Sequence, residues 1–261
     1  MFERVLVPLD GSKKGERALA AAAALVRQEA GTLILLHALT GAAVFLGRER
    51  AKAARYLSGL GARLRRSRIP VKKRLVNGEA SRQIVRAAVG ERVDLIAMSG
   101  RGHGGGGSGP LGSVAERVVR TSPVPVLLLR HAAKIRRVVV PLDGRAQSPG
   151  IMAEVAEMAR LLDAPVTILD VGPGKGRQVE RAIDVLARLG ISYHLHVRRD
   201  RGAAAIERLA HERGNDLVAI IAAPLDRSLH LGSAAEKLLR RTENPLLVVR
   251  AKCKEVQTCG A

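Results

Sequence analysis

The segment Gly100-Arg101-Gly102-His103-Gly104-Gly105-Gly106-Gly107-Ser108-Gly109-Pro110 carries almost no side chains and runs into Leu111-Gly112-Ser113. Glycine removes the Cβ barrier to unusual dihedrals and exposes backbone N–H groups, so such a loop can wrap an anion; standing alone, it is more often a slack connection. Its context favours chemistry. Ser113 and Glu116 have capping-box spacing and predict the opening of a helix, whose unsatisfied N–H groups and positive dipole end attract phosphate. Gly100, Gly102, Gly105 and Gly112 are then candidate backbone donors. Arg101 and His103 offer charge and a polar ring, and Ser113 a hydroxyl. Asp10 supplies the opposite chemistry, a carboxylate able to pair with an exocyclic amine or a sugar hydroxyl. A glycine cradle on one wall and an acid on the other outline a nucleotide site.

The elements that must position these groups occur twice. Val7-Pro8-Leu9-Asp10-Gly11 returns as Val140-Pro141-Leu142-Asp143-Gly144, and Leu111-Gly112-Ser113-Val114-Ala115-Glu116 returns as Leu231-Gly232-Ser233-Ala234-Ala235-Glu236. In the first copy, Glu3 to Leu9, Leu33 to Leu39, Val71 to Val76, Val93 to Ser99 and Val126 to Leu129 read as strands. They alternate with helical patterns at Ser12 to Ala30, Leu46 to Ser67, Ala80 to Val89 and Ser113 to Arg120. The second copy repeats the scheme with strands at Val138 to Leu142, Val166 to Val171, Ser192 to Val197, Leu217 to Ala222 and Leu246 to Val249. Such alternation predicts an α/β fold of two tandem doubly wound domains, each a parallel sheet with helices on both faces. The expected boundaries are 1–132, 133–251 and a tail at 252–261. In an open parallel sheet ligands collect beyond the carboxyl ends of the strands, where winding reverses, so Asp10 and the glycine run should face one crevice.

Bulk properties narrow the classes. The chain has 261 residues and a formal net charge of +20. Residues 1–132 hold 23 basic and 9 acidic side chains, against 21 and 15 in the remainder. That field draws anions in general: nucleotides, nucleic acid or anionic membrane. Aromatics are scarce, only Phe2, Phe45, Tyr56 and Tyr193, which weighs against modules that stack single-stranded bases. The two cysteines, Cys253 and Cys259, lie in the polar tail, as expected of a cytoplasmic protein whose cores use no disulfide. No stretch reads as a signal peptide or membrane span. Arg63, Arg65, Arg66, Arg68, Lys72, Lys73 and Arg74 form the densest basic run, either a docking site for nucleic acid or lipid or a solvated helix end. His194 and His196 share a strand face without a third metal ligand in view, and Lys13 and Lys14 are surface charge or phosphate contacts. No phosphate-loop lysine motif, nucleophile elbow or paired zinc-binding cysteines occur, and no recognisable base for water emerges.

On these residues the chain resembles the universal stress proteins in their tandem form. The likeness rests on the Val-Pro-x-Asp-Gly opening, Leu33-Ile34-Leu35-Leu36-His37-Ala38, Asp94-Leu95-Ile96-Ala97-Met98-Ser99, Leu111-Gly112-Ser113-Val114-Ala115-Glu116-Arg117-Val118 and Ser122-Pro123-Val124-Pro125-Val126-Leu127. It implies a five-stranded sheet of order 3-2-1-4-5 in each domain, with last strands often pairing between domains as an intrachain pseudo-dimer. ATP-binding members carry Gly-x2-Gly-x9-Gly-Ser/Thr. Here the register reads Ser99-x2-Gly102-x9-Gly112-Ser113, and the Ser99 Cβ is expected to weaken binding without abolishing it. The resemblance implies that ATP, ADP or AMP, with or without Mg, is the ligand of the first domain. Asp10 would meet the base or ribose edge, the backbone at Ala38 would read adenine, and Pro8 and Leu9 would shape the wall. The second copy keeps Asp143, Gly232 and Ser233 but has Ile220 to Arg227 in place of the glycines, with Asp226 adding opposing charge; Val171 could still flank an adenine-like group. The expected output is a stress response or signalling function through an unknown protein partner, with a homodimer possible. The rivals are a basic protein binding nucleic acid or anionic membrane beside a vestigial site, and a slow ATPase.

Overall fold

A computed structural model describes residues 2–102, 111–131, 135–142, 149–170, 177–197, 216–222, 236, 238–240 and 242–250. The chain divides into two units, Met1–Ala132 and Ala133–Ala261. His103 and Gly105, Asp143, Val171, Asp226, Gly232, Ser233, Cys253 and Cys259 lie outside the described residues.

In the first unit the strands are β1 (Arg4–Pro8), β2 (Thr32–Leu39), β3 (Val71–Asn77), β4 (Leu95–Ser99) and β5 (Val126–Leu129). β1 pairs in parallel with β2 and β4, β2 with β3, and β4 with β5, which gives the order 3-2-1-4-5. Val5, Leu6 and Val7 of the central strand are fully buried, so both faces of β1 are covered and its sequence is uninterruptedly apolar. The helices are α1 (Arg17–Gln28), α2 (Gly47–Arg66), α3 (Ala80–Gly90) and α4 (Ser113–Thr121), with a short 3-10 turn at Gly41–Val44. Alternation along β3 shows that helices lie on opposite faces: Lys73 reaches Ser58 of α2, whereas Lys72 and Arg74 reach Glu91 at the end of α3.

The second unit repeats this winding. β6 (Arg137–Leu142) pairs with β7 (Val166–Asp170) and with β9 (Asp216–Ala222), β7 with β8 (Tyr193–Val197), and β9 with β10 (Leu246–Arg250), all in parallel. Its described helices include α5 (Pro149–Leu162) and α6 (Arg177–Arg188). α6 buries Val179, Ala182 and Leu186, spaced three and four apart on one stripe. Among the described residues no helix is long and apolar enough to cross a membrane.

Two sequence expectations need correction. The first helical pattern starts at Arg17, not Ser12, because the Asp10 side chain captures the intervening backbone: its Oδ1 accepts from the Ser12 N–H at 3.0 Å and from the Ser12 hydroxyl at 2.6 Å. The capping box at Ser113 does not form. Gly112 is the N-cap and carries no side chain to accept a capping bond, while the Glu116 carboxylate accepts from Arg120 at 3.0 Å one turn on. With Ser113 already inside the helix, its hydroxyl is displaced from the capping position.

One glycine holds the β1–β2 junction by close approach. A Cβ on Gly31 would collide with the Glu3 carbonyl oxygen and lie 2.9 Å from the Glu3 Cα, all backbone that cannot swing aside. Gly31→Ala is expected to destabilise the first unit by about 1–3 kcal/mol, read as a lowered denaturant midpoint.

Candidate functional site

At the carboxyl ends of the first unit's strands, β1 is flanked by β2 on one side and β4 on the other, and the chain reverses its winding between them. A cleft of about 600 Å³ opens there. Its wall holds Pro8, Leu9 and Asp10 after β1, Ala38 near the end of β2, Ser99, Gly100, Arg101 and Gly102 after β4, and Gly112 and Ser113 at the start of α4. The fold thus brings together the nucleotide-site candidates that lie among the described residues, Pro8, Leu9, Asp10, Ala38, Ser99 to Gly102, Gly112 and Ser113.

Asp10 organises one lip. Besides holding Ser12, it stands close to Gly15, where an added Cβ would lie 2.5 Å from Asp10 Oδ1; the Gly15 N–H donates to the Ser12 hydroxyl oxygen at 2.9 Å. The same carboxylate faces the opposite lip. A Cβ on Gly102 would collide with Asp10 Oδ2 and come within 3.2 Å of its Cγ. The loops after β1 and β4 therefore touch, and a side chain at 102 would have to displace the Asp10 carboxylate.

The feet of the glycine run are stitched together by backbone. The Gly100 N–H donates to the Leu129 carbonyl at 3.0 Å, and the Gly112 N–H donates to the Gly100 carbonyl at 2.8 Å. Ser99 turns its hydroxyl into this turn and donates to the Arg101 carbonyl at 2.7 Å, which leaves the residue only 8% exposed. Its Oγ is thereby engaged with the backbone of the loop that follows β4. At Gly112 a Cβ would meet only ordinary contacts, 3.5 Å from the Gly100 oxygen, so protein packing does not demand this glycine. The first intrahelical bond of α4 runs from the Glu116 N–H to the Gly112 carbonyl, and the N–H groups of the preceding turn point toward the helix entrance without a side-chain cap.

The back and far side of the cleft hold residues to which the sequence reading gave no role. His37 lines it, lies between the Leu9 backbone and the Tyr56 ring at 6.4 Å centroid separation, and has a buried Nδ1 with no hydrogen-bond partner. Burial pushes the imidazole below its ordinary value against the opposing pull of the Leu9 backbone bond and the Asp10 charge. Burial, then the neighbouring Glu16 carboxylate, raises the Tyr56 phenol, whose hydroxyl donates to Glu16 at 3.3 Å. Glu16 in turn pairs with Arg63 at 3.5 Å. Glu49 and Lys52 of α2 add one charge of each sign to the mouth. The spacing Asp10-x4-Gly15 was the available signal for Gly15; nothing local marked Lys52.

Elsewhere the candidates disperse. Lys13 and Lys14 are exposed and do not line the cleft. Lys72 pairs with Glu91 at 2.6 Å, and Arg74 and Arg4 share the same carboxylate, which the Lys72 bond holds below the usual range. His194 and His196 are exposed on β8, and among the described residues no group of three or more His, Cys, Asp or Glu could hold a metal. In the second unit the register Leu142↔Asp170 places a 1%-exposed carboxyl where the first unit has His37.

The universal stress protein family matches residues 1–130 and 172–250. The chain is 35% identical over 137 residues to a universal stress protein of Thermus aquaticus, covering 50% of this chain and 100% of that one. It is 30% identical over 168 residues to universal stress protein Slr1230 of Synechocystis, covering 60% of this chain and 58% of the relative. A crystal structure of a universal stress protein from Archaeoglobus fulgidus superposes with a TM-score of 0.79 at 20% identity, covering 96% and 99% of the two chains, a likeness of fold.

Burial in the folded state disfavours the protonated His37 ring relative to the unfolded chain, where its ordinary value is 6.5. The stability this confers is complete above that value and is lost as pH falls below it. Replacing His37 by Gln should flatten the drop in denaturant midpoint between about pH 7.5 and about pH 5.5, relative to the parent.

Proposed function

Because the chain belongs to the universal stress protein family, we propose that its first unit binds one adenine nucleotide, ATP, ADP or AMP, in the cleft at the β1–β4 switch point. The observation that carries this reading is the approach of Asp10 to Gly102, which joins an acidic lip to a backbone cradle across the cleft. The phosphates lie between the stitched loop of Gly100 to Gly102 and the uncapped first turn of α4, where N–H groups and the helix dipole favour negative charge. Arg101 adds a cation there, with Ser113 beside it; His103 and Gly105 belong to the same loop by sequence. The base end lies toward Pro8, Leu9 and Ala38, with Asp10 accepting from the ribose or the base edge. This arrangement binds and orders. It supplies no aligned nucleophile and base, so its output is a nucleotide-dependent conformation or partner preference, which requires only that one conformation hold the ligand more tightly.

Magnesium finds no protein ligand set among the described cleft residues, where the carboxylates are Asp10 and Glu49. In this reading the ion is held by the nucleotide's own phosphates. The second unit serves as a degenerate partner completing an intrachain pseudo-dimer. Its sequence lacks the glycine run, and the buried Asp170 stands where His37 backs the first unit's cleft. A cytoplasmic role in stress response follows from the same reading.

Titration with labelled ATP should give one site per chain. Gly102→Val should weaken it about tenfold or more, because the side chain displaces the Asp10 carboxylate. Equal binding by parent and Gly102→Val would remove this loop from the site, and two nucleotides per chain would contradict the asymmetry.

A further inference from the structure

Residues 47–77 contain eleven Lys or Arg and a single acidic residue, Glu49. On α2 their placement is ordered. Arg48, Lys52, Arg55, Arg63 and Arg66 fall within about 80° of the helix circumference at 100° per residue, and Gly59 occupies the remaining position of the stripe. The buried face, Ala53, Leu57, Leu60 and Gly61, lies on the opposite side, so the stripe points away from the core. It is about 27 Å long at 1.5 Å per residue and follows one straight line. Arg63 spends part of its charge on Glu16, Arg48 pairs with Glu49 at 3.7 Å, and Lys52 also reaches the cleft mouth; Arg55 and Arg66 are exposed and stand apart from these.

A second observation sits at the helix entrance. Phe45 is 89% exposed and Leu46 49% exposed, immediately before α2. Single exposed apolar side chains are ordinary on a protein surface. Two bulky ones side by side, three and two residues ahead of a line of cations, combine the two features a lipid surface recognises: an apolar tip that enters the headgroup–acyl boundary and flanking cations that pair with anionic headgroups.

We propose that the solvent face of α2, with the Phe45-Leu46 tip, docks this protein on an anionic phospholipid bilayer. A plane lets all five cations of a straight stripe engage together. A duplex would take the cations but offers nothing to a wet leucine, and its phosphates curve away from a straight line. Of the stripe only Lys52 lines the cleft, and Arg55, Arg66 and Phe45 lie outside it, so docking does not depend on the nucleotide reading.

The test is co-sedimentation of the full-length chain with vesicles of phosphatidylcholine containing about 30% phosphatidylglycerol, compared with pure phosphatidylcholine. The expected result is binding to the anionic vesicles alone, weakened at least about tenfold in Arg55→Glu/Arg66→Glu and severalfold in Phe45→Ser, with the Phe45 variant keeping the parent's salt dependence. Unchanged thermal midpoints of both variants establish that they fold. Absence of binding to anionic vesicles at low salt, or binding indifferent to the double charge reversal, overturns the proposal. So does tighter binding to a DNA or RNA duplex that ignores Phe45, which would assign the stripe to nucleic acid, or Phe45-dependent self-association without vesicle binding.

Discussion

The contact between the Asp10 carboxylate and the backbone at Gly102 is the constraint on which the first unit's cleft depends. One oxygen gathers the chain after β1 into a turn through Ser12, which delays the start of α1 to Arg17. The other stands against Gly102, where a side chain would displace it. Two loops that the parallel sheet only brings near each other are thereby fixed at contact distance. The β4 loop is held from behind as well, since Gly100 bonds to Leu129 of β5 and Gly112 bonds to Gly100. These two bonds fix where the glycine run leaves β4 and where it enters α4, and they occupy the N–H groups of Gly100 and Gly112.

How much of this could be read from the chain alone follows from the range of the interactions involved. Strand–helix alternation is a local signal, and it located every strand of the first unit to within two residues at each end. The order 3-2-1-4-5 came through family resemblance, because pairing partners are long-range and leave no mark on periodicity. Candidate residues at 8–10, 38, 99–102 and 112–113 were legible as motifs, and the topology carries them to one crevice. What escaped was cross-element chemistry. The Tyr56–Glu16–Arg63 chain joins α1 to α2 over 40 and 47 positions, and His37 looked like one more strand residue until its neighbours were in place. The capping box failed for a local reason: the spacing of Ser113 and Glu116 was right, but the chain enters the helix one residue early, at Gly112.

The two units show how a repeat can keep a fold while changing a site. The paired strands β6–β7 and β6–β9 reproduce the winding of β1–β2 and β1–β4, and the central strand Val138, Val139 and Val140 is as deeply buried as Val5, Leu6 and Val7. Core positions tolerate apolar exchange provided volume and pattern are kept. At the ends of the corresponding strands the two units differ, with His37 in the first and the buried Asp170 in the second.

The cations of β3 have one more effect. β3 is the outer strand of its sheet, with a row of backbone groups on its free side, and Lys72, Lys73 and Arg74 alternate between its two faces. A further strand arriving on that side would have to bring its own backbone between ammonium and guanidinium groups and strip water from them. The first unit is thus protected against open-ended strand addition by the charge of its own border.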